Sequence, residues 1–221
     1  MNGFEYLREA YFKARPDYEG RFMVPVLWDK HQQTIVNTES SDILRMLNSE
    51  FNDFSATPEQ ATLDLYPVHL RPAIDKLNDW IYKDINNGVY RAGFATKQEP
   101  YDKAVREVFA ALDRVEDILS CQRYLTGSTI TEADVRLFTT LVRFDPVYVG
   151  HFKCNKKRII DYPNLWGYLR DLYQTPGFGS TTNLFHIEHH YQESHRQINP
   201  TGIVAIGPEL NYFTPHGREN M

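Results

Sequence analysis

Arg21-Phe-Met-Val-Pro-Val-Leu-Trp-Asp29, together with Asn37-Thr-Glu-Ser-Ser41, is the stretch that decides the fold. Its central part, Val24-Pro25-Val26-Leu27, predicts a short apolar strand with a proline near the start. Proline cannot donate to a sheet ladder, so it belongs at a strand entry, an edge or a bulge. A cis peptide is one way to keep it there, because that geometry leaves the N–H and C=O of the preceding residue free to pair with a bound peptide.

The residues that follow predict a turn at 30–33, a second strand at 34–36 and a helix at 40–47. Glu39 and Ser40 therefore lie at a helix N-terminus, where exposed N–H groups and the helix dipole favour a carboxylate. Strand, prolyl turn, strand and helix start together predict a clamp for a γ-glutamyl peptide. The same residues also fit an ordinary hairpin followed by a capped helix, since short motifs recur by chance.

This combination resembles the glutathione-binding half of thioredoxin-like glutathione transferases. Its residues are similar to one branch in particular, the Xi-class enzymes or glutathionyl-hydroquinone reductases. In that family the residue before the proline pairs with the cysteinyl backbone of glutathione, and a Glu-Ser pair holds the γ-glutamyl amine and carboxylate. The resemblance therefore implies that Val24, Pro25, Glu39 and Ser40 bind glutathione.

Further motifs of the same branch extend the resemblance from residue 2 to about residue 208. They are Asn87-Gly-Val-Tyr-Arg-Ala-Gly-Phe-Ala95, Arg143-Phe-Asp-Pro-Val-Tyr148, His151-Phe-Lys-Cys-Asn155, Ile187-Glu-His-His-Tyr-Gln-Glu-Ser-His195 and Asn199-Pro-Thr-Gly-Ile-Val204. In that family, tyrosines of the helical domain converge on the aromatic substrate, which implies Tyr90 and Tyr191 as substrate-pocket residues and Tyr148 as a third candidate. A phenol can donate to a quinol oxygen while its ring packs on the substrate face. The alternative is that all three are half-buried core tyrosines.

Composition narrows the class of protein. The chain has 221 residues, and 24 basic against 29 acidic side chains give a net charge of −5, which offers no electrostatic basis for binding nucleic acid or an anionic membrane. No apolar run approaches the ~18 residues that span a bilayer, and the first residues lack the features of a secretory signal. Two distant cysteines make no disulfide framework, so we expect a cytoplasmic protein.

Helical periodicity dominates the rest of the chain. The clearest helix is predicted over residues 99–120, where six apolar side chains form one stripe. These are Val105, Val108, Phe109, Leu112, Val115 and Leu119. Helices are also predicted over residues 4–14, from Pro67 onward, over 165–173 and over 182–194, with an extended tail after residue 199.

The predicted fold class is α+β, mostly α. Residues 1–55 form an incomplete thioredoxin-like glutathione-binding lobe, and residues 56–221 form an all-helical glutathione-transferase C-terminal domain. A two-stranded hairpin is marginal in water. We therefore expect that the hairpin packs on the helical domain, that a partner supplies further strands, or that the chain is a truncated product.

Thr131-x-x-Asp134, ahead of a run of apolar residues, predicts a capped helix start. The acid three residues after the threonine satisfies N–H groups that have no partner within the helix, which is worth on the order of 1 kcal/mol. The same pattern resembles a folding signature of the family's helical domain. Its predicted role is structural.

A group of histidines near the end of the chain raises the question of a metal site. Its members are His186, His189, His190 and His195, with Glu188 and Glu193 beside them. His186 and His190 would share a helical face, as two zinc ligands must. No further ligand stands at a spacing that completes a site, so the prediction is a polar helix face and no metal.

The two cysteines do not match the family's nucleophile, which stands in a Cys-Pro-Trp-type motif at the start of the first thioredoxin helix. This sequence contains no such motif, so we expect the catalytic cysteine to be missing from the chain. Cys121 is predicted to be an inert thiol at a helix end. Cys154 has three lysines nearby that could lower its pKa, but nothing in the sequence puts it beside the clamp, so a reactive Cys154 is only the minor alternative.

The resemblance implies a glutathione-dependent reductase of glutathionyl-hydroquinones. A cysteine thiolate takes glutathione from the substrate carbon, and a second glutathione resolves the disulfide. Glutathione is the implied cofactor, aromatic quinol conjugates are the implied substrates, and a homodimer is the implied assembly. With the nucleophile missing, we expect the isolated chain to be weakly active or inactive. The alternative is a non-catalytic interaction module of the glutathione-transferase type.

Overall fold

Contacts divide the chain into a first unit, Met1–Tyr66, and a second unit, Pro67–Met221. The structure, a computed structural model, describes residues 3–221. Residues 1 and 2, where the predicted first domain and the family resemblance begin, lie outside the described residues. The boundary predicted from the sequence lies after residue 55, whereas the contacts put it after Tyr66.

Within residues 3–66, the first unit contains three α-helices, one 3₁₀ turn and a two-stranded antiparallel sheet. These are α1 (Leu7–Ala14), β1 (Leu27–Asp29), β2 (Thr34–Asn37), α2 (Ser40–Ser49), the 3₁₀ turn (Asn52–Phe54) and α3 (Pro58–Ala61). In the sheet, Leu27 lies opposite Asn37 and Asp29 lies opposite Thr34. The Val24–Pro25 peptide is cis, as the sequence allowed. The paired part of the first strand begins later than predicted, at Leu27.

The turn between the strands is held by the last residue of β1. The Asp29 carboxylate accepts the backbone N–H of His31 at 2.7 Å and that of Gln32 at 2.9 Å. An aspartate that binds the backbone two and three residues ahead favours a tight turn. This local contact explains why the predicted turn at residues 30–33 forms.

Residues 56–66 join the first unit because α2 binds them through side chains. The Asn48 amide donates to the Asp64 carboxylate at 2.8 Å and accepts the Leu65 N–H at 2.7 Å. The Arg45 guanidinium lies 4.1 Å from the centre of the Tyr66 ring. These contacts are not local in sequence, which is why the contact boundary differs from the one predicted from the sequence.

The second unit is built from helices. They are α4 (Arg71–Ile81), a π-helical turn (Tyr82–Asn86), α5 (Gly88–Gly93), α6 (Gln98–Cys121), α7 (Glu132–Arg143), a second π-helical turn (Phe144–Tyr148), α8 (Pro163–Gln174) and α9 (Leu184–Ser194), with short 3₁₀ turns at Val68–Leu70, Ile159–Asp161 and Gly179–Thr181. This architecture confirms the predicted fold class, which is α+β and mostly α. No helix within residues 3–221 has the length and apolar character needed to cross a bilayer.

The long helix α6 forms the centre of the second unit and packs against α5 and α8. Five of its six predicted stripe residues are buried, and Val105 is half-buried. The opposite face carries charge, where Glu107 accepts a hydrogen bond from Arg91 of α5 at 2.6 Å. The apolar stripe thus decides which face of α6 is turned towards the core.

The helix start at α7 is capped as predicted. The Asp134 carboxylate is fully buried and accepts the Thr131 N–H at 2.8 Å, the Leu125 N–H at 2.9 Å and the Tyr168 hydroxyl at 2.7 Å. Burial raises the pKa of Asp134, and the hydrogen bonds to its carboxylate oppose that rise. One carboxylate therefore ties the helix start to a loop and to α8.

The tail after α9 forms neither helix nor strand within the described residues, as predicted, but it is packed. Arg218 is buried and donates through Nη2 to the carbonyls of Leu119 at 2.8 Å, Gln122 at 2.6 Å and Arg123 at 3.0 Å. Leu119 lies in the last turn of α6 and the other two residues directly follow the helix, where carbonyls lack intrahelical partners. The tail thus supplies the cap for the central helix.

Candidate functional site

The three tyrosines predicted to line a substrate pocket meet in the second unit. Tyr90 lies on α5, Tyr148 ends the second π-helical turn, and Tyr191 lies on α9. The Tyr191 hydroxyl is 2.5 Å from the Tyr90 hydroxyl and 2.9 Å from the Tyr148 hydroxyl. We call these three residues the tyrosine cluster.

Two glycines on α5 allow the tyrosine cluster to form. A Cβ atom on Gly93 would lie 2.1 Å from the Phe152 ring, and one on Gly88 would lie 2.8 Å from the Val108 side chain of α6. Glycine therefore permits a close approach at both positions. The short helix α5 can in this way bring Tyr90 next to the segment that carries Tyr148.

The π-helical turn that ends at Tyr148 is fastened from the other side by a buried acid. The Asp145 carboxylate accepts the N–H of Ile159 at 2.6 Å and that of Ile160 at 3.1 Å. Burial raises the pKa of Asp145, and the two backbone hydrogen bonds act in the opposite direction. Asp145 thus holds the turn, and with it Tyr148, against the next loop.

Exposure distinguishes the members of the tyrosine cluster. Tyr148 is 1% exposed and Tyr191 is 5% exposed, whereas Tyr90 is half-buried. Burial raises the pKa of both Tyr148 and Tyr191, so their hydroxyls are neutral donors near neutral pH. Tyr90 is therefore the member that solvent or a ligand can reach.

Aromatic rings surround the hydroxyls. The Phe152 ring is stacked on the Tyr148 ring with centroids 5.2 Å apart, and the Phe94 ring lies parallel to the Tyr90 ring at 6.4 Å. Phe94 is 40% exposed, so a flat apolar surface lies open beside Tyr90. The arrangement can hold an aromatic ring while a phenol donates to its oxygen.

The rings beside the tyrosines were not predicted, although the sequence carries a signal for them. Each tyrosine of the cluster is followed four residues later by another ring, and residues at that spacing are neighbours on a helix. The pairs are Tyr90 with Phe94, Tyr148 with Phe152, and Tyr191 with His195. The repeated spacing would have identified Phe94, Phe152 and His195.

His195 contacts a second histidine at the edge of the cluster. His195 Nδ1 lies 3.1 Å from His151 Nε2, and the two rings are stacked with centroids 5.3 Å apart. Burial lowers the pKa of His151 to about 4, with smaller effects of the same sign from His195 and Lys153. Burial also lowers the pKa of His195. We call His151 and His195 the histidine pair.

The remaining histidines of the group considered as a metal site have separate partners. His189 pairs with Glu193 at 3.1 Å, and His190 lies 3.3 Å from the Ser194 hydroxyl. Within residues 3–221, no group of three or more potential ligands is arranged around a common metal position.

Cys154 does not have the surroundings of a nucleophile. Its side chain is fully buried, and burial raises its pKa to about 12, although Lys153 acts in the opposite direction. Lys153 does act to lower this pKa, as the sequence suggested, but desolvation of the thiolate outweighs its charge. Cys121 is exposed at the last residue of α6.

The four residues predicted to bind glutathione lie in the first unit. Val24 and Pro25 precede β1, Glu39 precedes α2, and Ser40 is the first residue of α2; all four are exposed. Because Leu27 pairs with Asn37, the start of β1 and the end of β2 lie at the same end of the hairpin. The register therefore puts the prolyl segment and the helix start at that same end.

Two side chains that were not predicted hold these segments. Tyr11 of α1 is buried, and its hydroxyl donates to the Met23 carbonyl at 2.7 Å and accepts the Met23 N–H at 3.0 Å. The Asn37 side chain accepts the Glu39 N–H at 2.7 Å. Tyr11 thus fixes the chain just before Val24, and Asn37 fixes the chain at Glu39.

Comparisons with known proteins identify the relatives of this chain. The family model described as glutathione S-transferase, C-terminal domain, matches residues 98–171. The chain is 57% identical over 215 residues to the glutathionyl-hydroquinone reductase YqjG of Escherichia coli, covering 97% of this chain and 64% of that protein. It is 52% identical over 214 residues to the glutathione S-transferase omega-like 2 of Schizosaccharomyces pombe, covering 94% of this chain and 68% of that protein.

Solved structures with similar sequences superpose closely on this chain. Glutathione-bound YqjG from Escherichia coli superposes with a TM-score of 0.95 at 55% identity, covering 100% of this chain and 70% of that one. A Xi-class glutathione transferase from Natrialba magadii superposes with a TM-score of 0.95 at 52% identity, covering 100% of this chain and 66% of that one. The chain therefore spans about two thirds of the length of the curated relatives it matches.

Proposed function

This chain belongs to the glutathione transferase family, in the branch of the Xi-class enzymes and glutathionyl-hydroquinone reductases, and we propose that it serves the glutathione-dependent reduction of glutathionyl-hydroquinones. One observation supports this proposal above all. The Tyr191 hydroxyl contacts the hydroxyls of Tyr90 and Tyr148, and an exposed aromatic surface lies beside them. Donors of this kind match the oxygens of a quinol, and the rings match its face.

The proposed reaction transfers glutathione between sulfur atoms. A thiolate attacks the sulfur that joins glutathione to the aromatic ring, so an S–S bond forms and the C–S bond breaks. The electron pair of the C–S bond stays on the ring carbon, which takes up a proton to give the free quinol. The thiolate of a second glutathione then attacks the mixed disulfide and yields oxidised glutathione and the original thiol.

Neither cysteine of this sequence is proposed as the attacking thiol. Cys154 is buried with a raised pKa, and only a thiolate attacks at a useful rate. Cys121 ends α6, and its sulfur lies 3.4 Å from the neighbouring Ser120 hydroxyl. The part proposed for this chain is therefore substrate binding, and its own turnover is expected to be near background and unchanged by Cys154→Ser.

Within the tyrosine cluster we assign different roles. Tyr90, the accessible member, donates to a quinol oxygen. Tyr191 orients the Tyr90 hydroxyl, and Tyr148, which is 1% exposed, supports Tyr191 from the interior. Phe94 provides the apolar face against which the substrate ring packs.

Ligand binding by Tyr90→Phe tests the quinol part of the proposal. Loss of one phenol hydrogen bond should weaken hydroquinone binding several-fold, because such a bond is worth about 1 kcal/mol. The affinity is measured by quenching of intrinsic fluorescence under anaerobic conditions. Tyr82→Phe, at an exposed position of the first π-helical turn, is the matched control and should bind as the wild type does.

The melting temperature distinguishes a binding role from a packing role. We expect Tyr90→Phe to leave it nearly unchanged, since Tyr90 is half-buried. If Tyr90→Phe and Tyr191→Phe lower the melting temperature while hydroquinone affinity stays constant, both are core residues, and the quinol site must lie elsewhere.

We further propose that the first unit binds the γ-glutamyl end of glutathione at the start of α2. The exposed positions of Glu39 and Ser40 at a helix N-terminus support this assignment. Binding by this unit should be weak, in the millimolar range, which corresponds to about −4 kcal/mol.

An NMR titration with glutathione tests the clamp. Shift changes should concentrate at Val24, Glu39 and Ser40 and should weaken in Glu39→Gln. Glu50→Gln, an exposed change just after the opposite end of α2, is the control. Changes scattered over other residues, or none at high millimolar glutathione, would contradict the assignment.

We also propose a cytoplasmic homodimer. The reducing cytosol keeps glutathione as the thiol that the reaction consumes. Light scattering coupled to size-exclusion chromatography should give about twice the mass of 25.9 kDa. A mass of one chain at all micromolar concentrations would reject the dimer.

A further inference from the structure

Two contacts join the same two segments of the second unit. Tyr191 of α9 contacts Tyr148 through their hydroxyls at 2.9 Å, and His195 contacts His151 through ring nitrogens at 3.1 Å. In the loop the histidine follows the tyrosine by three residues, and at the end of α9 it follows by four. The tyrosine contact and the histidine contact are therefore neighbouring links between one helix and one loop.

The histidine link lies where it can set the position of the tyrosine link. His195 is the residue after the last turn of α9, and its carbonyl accepts the N–H groups of Ile198 at 2.8 Å and Asn199 at 2.9 Å. Tyr191 lies one helical turn before it on the same face. Because a helix is stiff over one turn, fixing His195 against the loop limits where the Tyr191 hydroxyl can lie.

The half-buried His195 ring contacts several other rings. It lies 5.1 Å from the Phe94 ring, 5.9 Å from the Phe152 ring and 5.4 Å from the Tyr191 ring. Within this apolar surrounding, the hydrogen bond to His151 is the directional contact that fixes the rotation of the ring.

We propose that the histidine pair positions the Tyr191 hydroxyl between Tyr90 and Tyr148. The two histidines are positioning residues, since they act on an aromatic ligand through Tyr191. The effect on ligand affinity rests on the proposed function, whereas the position of Tyr191 does not.

The charges around the pair keep it in the form that makes this contact. Lys153 lies beside His151 on the loop, and His190 of α9 lies near His195, which follows that helix, while Tyr191 is a neutral phenol. Burial opposes a proton on either ring, and the charge of Lys153 adds to this effect at His151. At neutral pH one ring therefore donates and the other accepts, whereas two protonated rings would leave no acceptor.

Fluorine NMR of the ligand-free chain tests the position of Tyr191. Tyrosine is replaced by 3-fluorotyrosine, and the Tyr191 signal is assigned by its loss in Tyr191→Phe. His195→Phe keeps an aromatic ring but removes the nitrogen, so it should shift the Tyr191 signal. His195→Asn retains a polar atom near the Nδ1 position and should return the signal towards its wild-type value.

Two further variants make the test independent of any one substitution. His151→Leu breaks the contact from the loop side and should shift the same signal if His195→Phe fails to fold. His186→Phe, an exposed change in the first turn of α9, should leave it in place. Hydroquinone should bind about fivefold more weakly to His195→Phe and His151→Leu, as expected for one misplaced hydrogen bond.

The outcomes separate the inference from the function on which it partly rests. An unchanged Tyr191 signal in both His195→Phe and His151→Leu would overturn the inference, and so would equal shifts in His195→Phe and His195→Asn. A Tyr191 signal that follows the predicted pattern supports the positioning role even if no variant, nor the wild type, binds hydroquinone. That last result would reject the quinol function alone.

Discussion

Tyr191 is the residue through which the candidate site is connected. A phenol has one proton, so Tyr191 can donate to one neighbour while it accepts from the other. The direction of these hydrogen bonds can reverse without movement of the heavy atoms. If Tyr90 donates its proton to a ligand oxygen, its own oxygen is left to accept from Tyr191, which selects one of the two directions.

The two cysteines should differ in reactivity. Cys154 is buried with a pKa raised to about 12, whereas Cys121 is exposed. Because the thiolate is the nucleophile, iodoacetamide should label Cys121 in the native protein and both cysteines in denaturant. Peptide mass spectrometry gives the labelled sites. Native labelling of Cys154 at the rate of Cys121 would show that its burial is incomplete.

The histidine pair should make stability depend on acid pH. The folded-state pKa of His151 is about 4, below its ordinary 6.5. The unfolded chain therefore takes up the proton first as pH falls, so the stabilising contribution is complete above about 6.5 and is lost towards about 4. Urea unfolding at about pH 7.5 and about pH 5 should show a smaller loss of stability in His151→Gln than in the wild type.

His69→Gln provides the control for that pH dependence, since His69 is exposed on a short 3₁₀ turn. It should lose as much stability on acidification as the wild type does. If His151→Gln and His69→Gln behave alike, His151 does not contribute to the acid sensitivity.

At the scale of elements, the capped start of α7 was predictable because a cap is a local pattern. The structure adds partners that are not local, since Asp134 also binds Leu125 and Tyr168. A single carboxylate thus connects α7 and α8. The first strand was less predictable: its start moved to Leu27, where pairing with Asn37 begins.

Asp134→Ala should destabilise the second unit by roughly 3 kcal/mol, because it leaves several buried donors without an acceptor. Asp134→Asn keeps one oxygen and should cost less. Asp117→Ala, at an exposed position on α6, should change the free energy of unfolding by less than about 0.5 kcal/mol. Urea denaturation followed by far-ultraviolet circular dichroism gives all three values. Equal effects of Asp134→Ala and Asp117→Ala would mean that the buried hydrogen bonds contribute little.

At the scale of the whole molecule, apolar burial is uneven. Among the described residues of the first unit, the buried apolar side chains are Ala10, Tyr11 and Ile43, whereas the second unit contains the rest of the core. The second unit therefore has most of the hydrophobic stabilisation. The first unit depends more on specific hydrogen bonds, such as those of Tyr11 and Asn48.

Arg218 should stabilise the second unit from the far end of the chain. Arg218→Ala leaves three carbonyls at and just after the end of α6 without their buried donor, so a loss of roughly 2–3 kcal/mol is expected. Arg106→Ala, whose side chain is 81% exposed on α6, is the control and should be nearly neutral. Thermal and urea unfolding measure both. A neutral Arg218→Ala would show that the tail follows the fold without stabilising it.

By itself the sequence determined the mostly α fold, the hairpin, the α7 cap and the family, and it named the three tyrosines as candidates. Those conclusions follow from periodicity, caps and motifs, which are local properties of the chain. Only the tertiary structure decided that the hydroxyls of Tyr90 and Tyr191, 101 residues apart, lie in contact and that His195 meets His151. It also decided that Cys154 is buried, because burial depends on which distant segments pack over a residue and not on its neighbours in sequence.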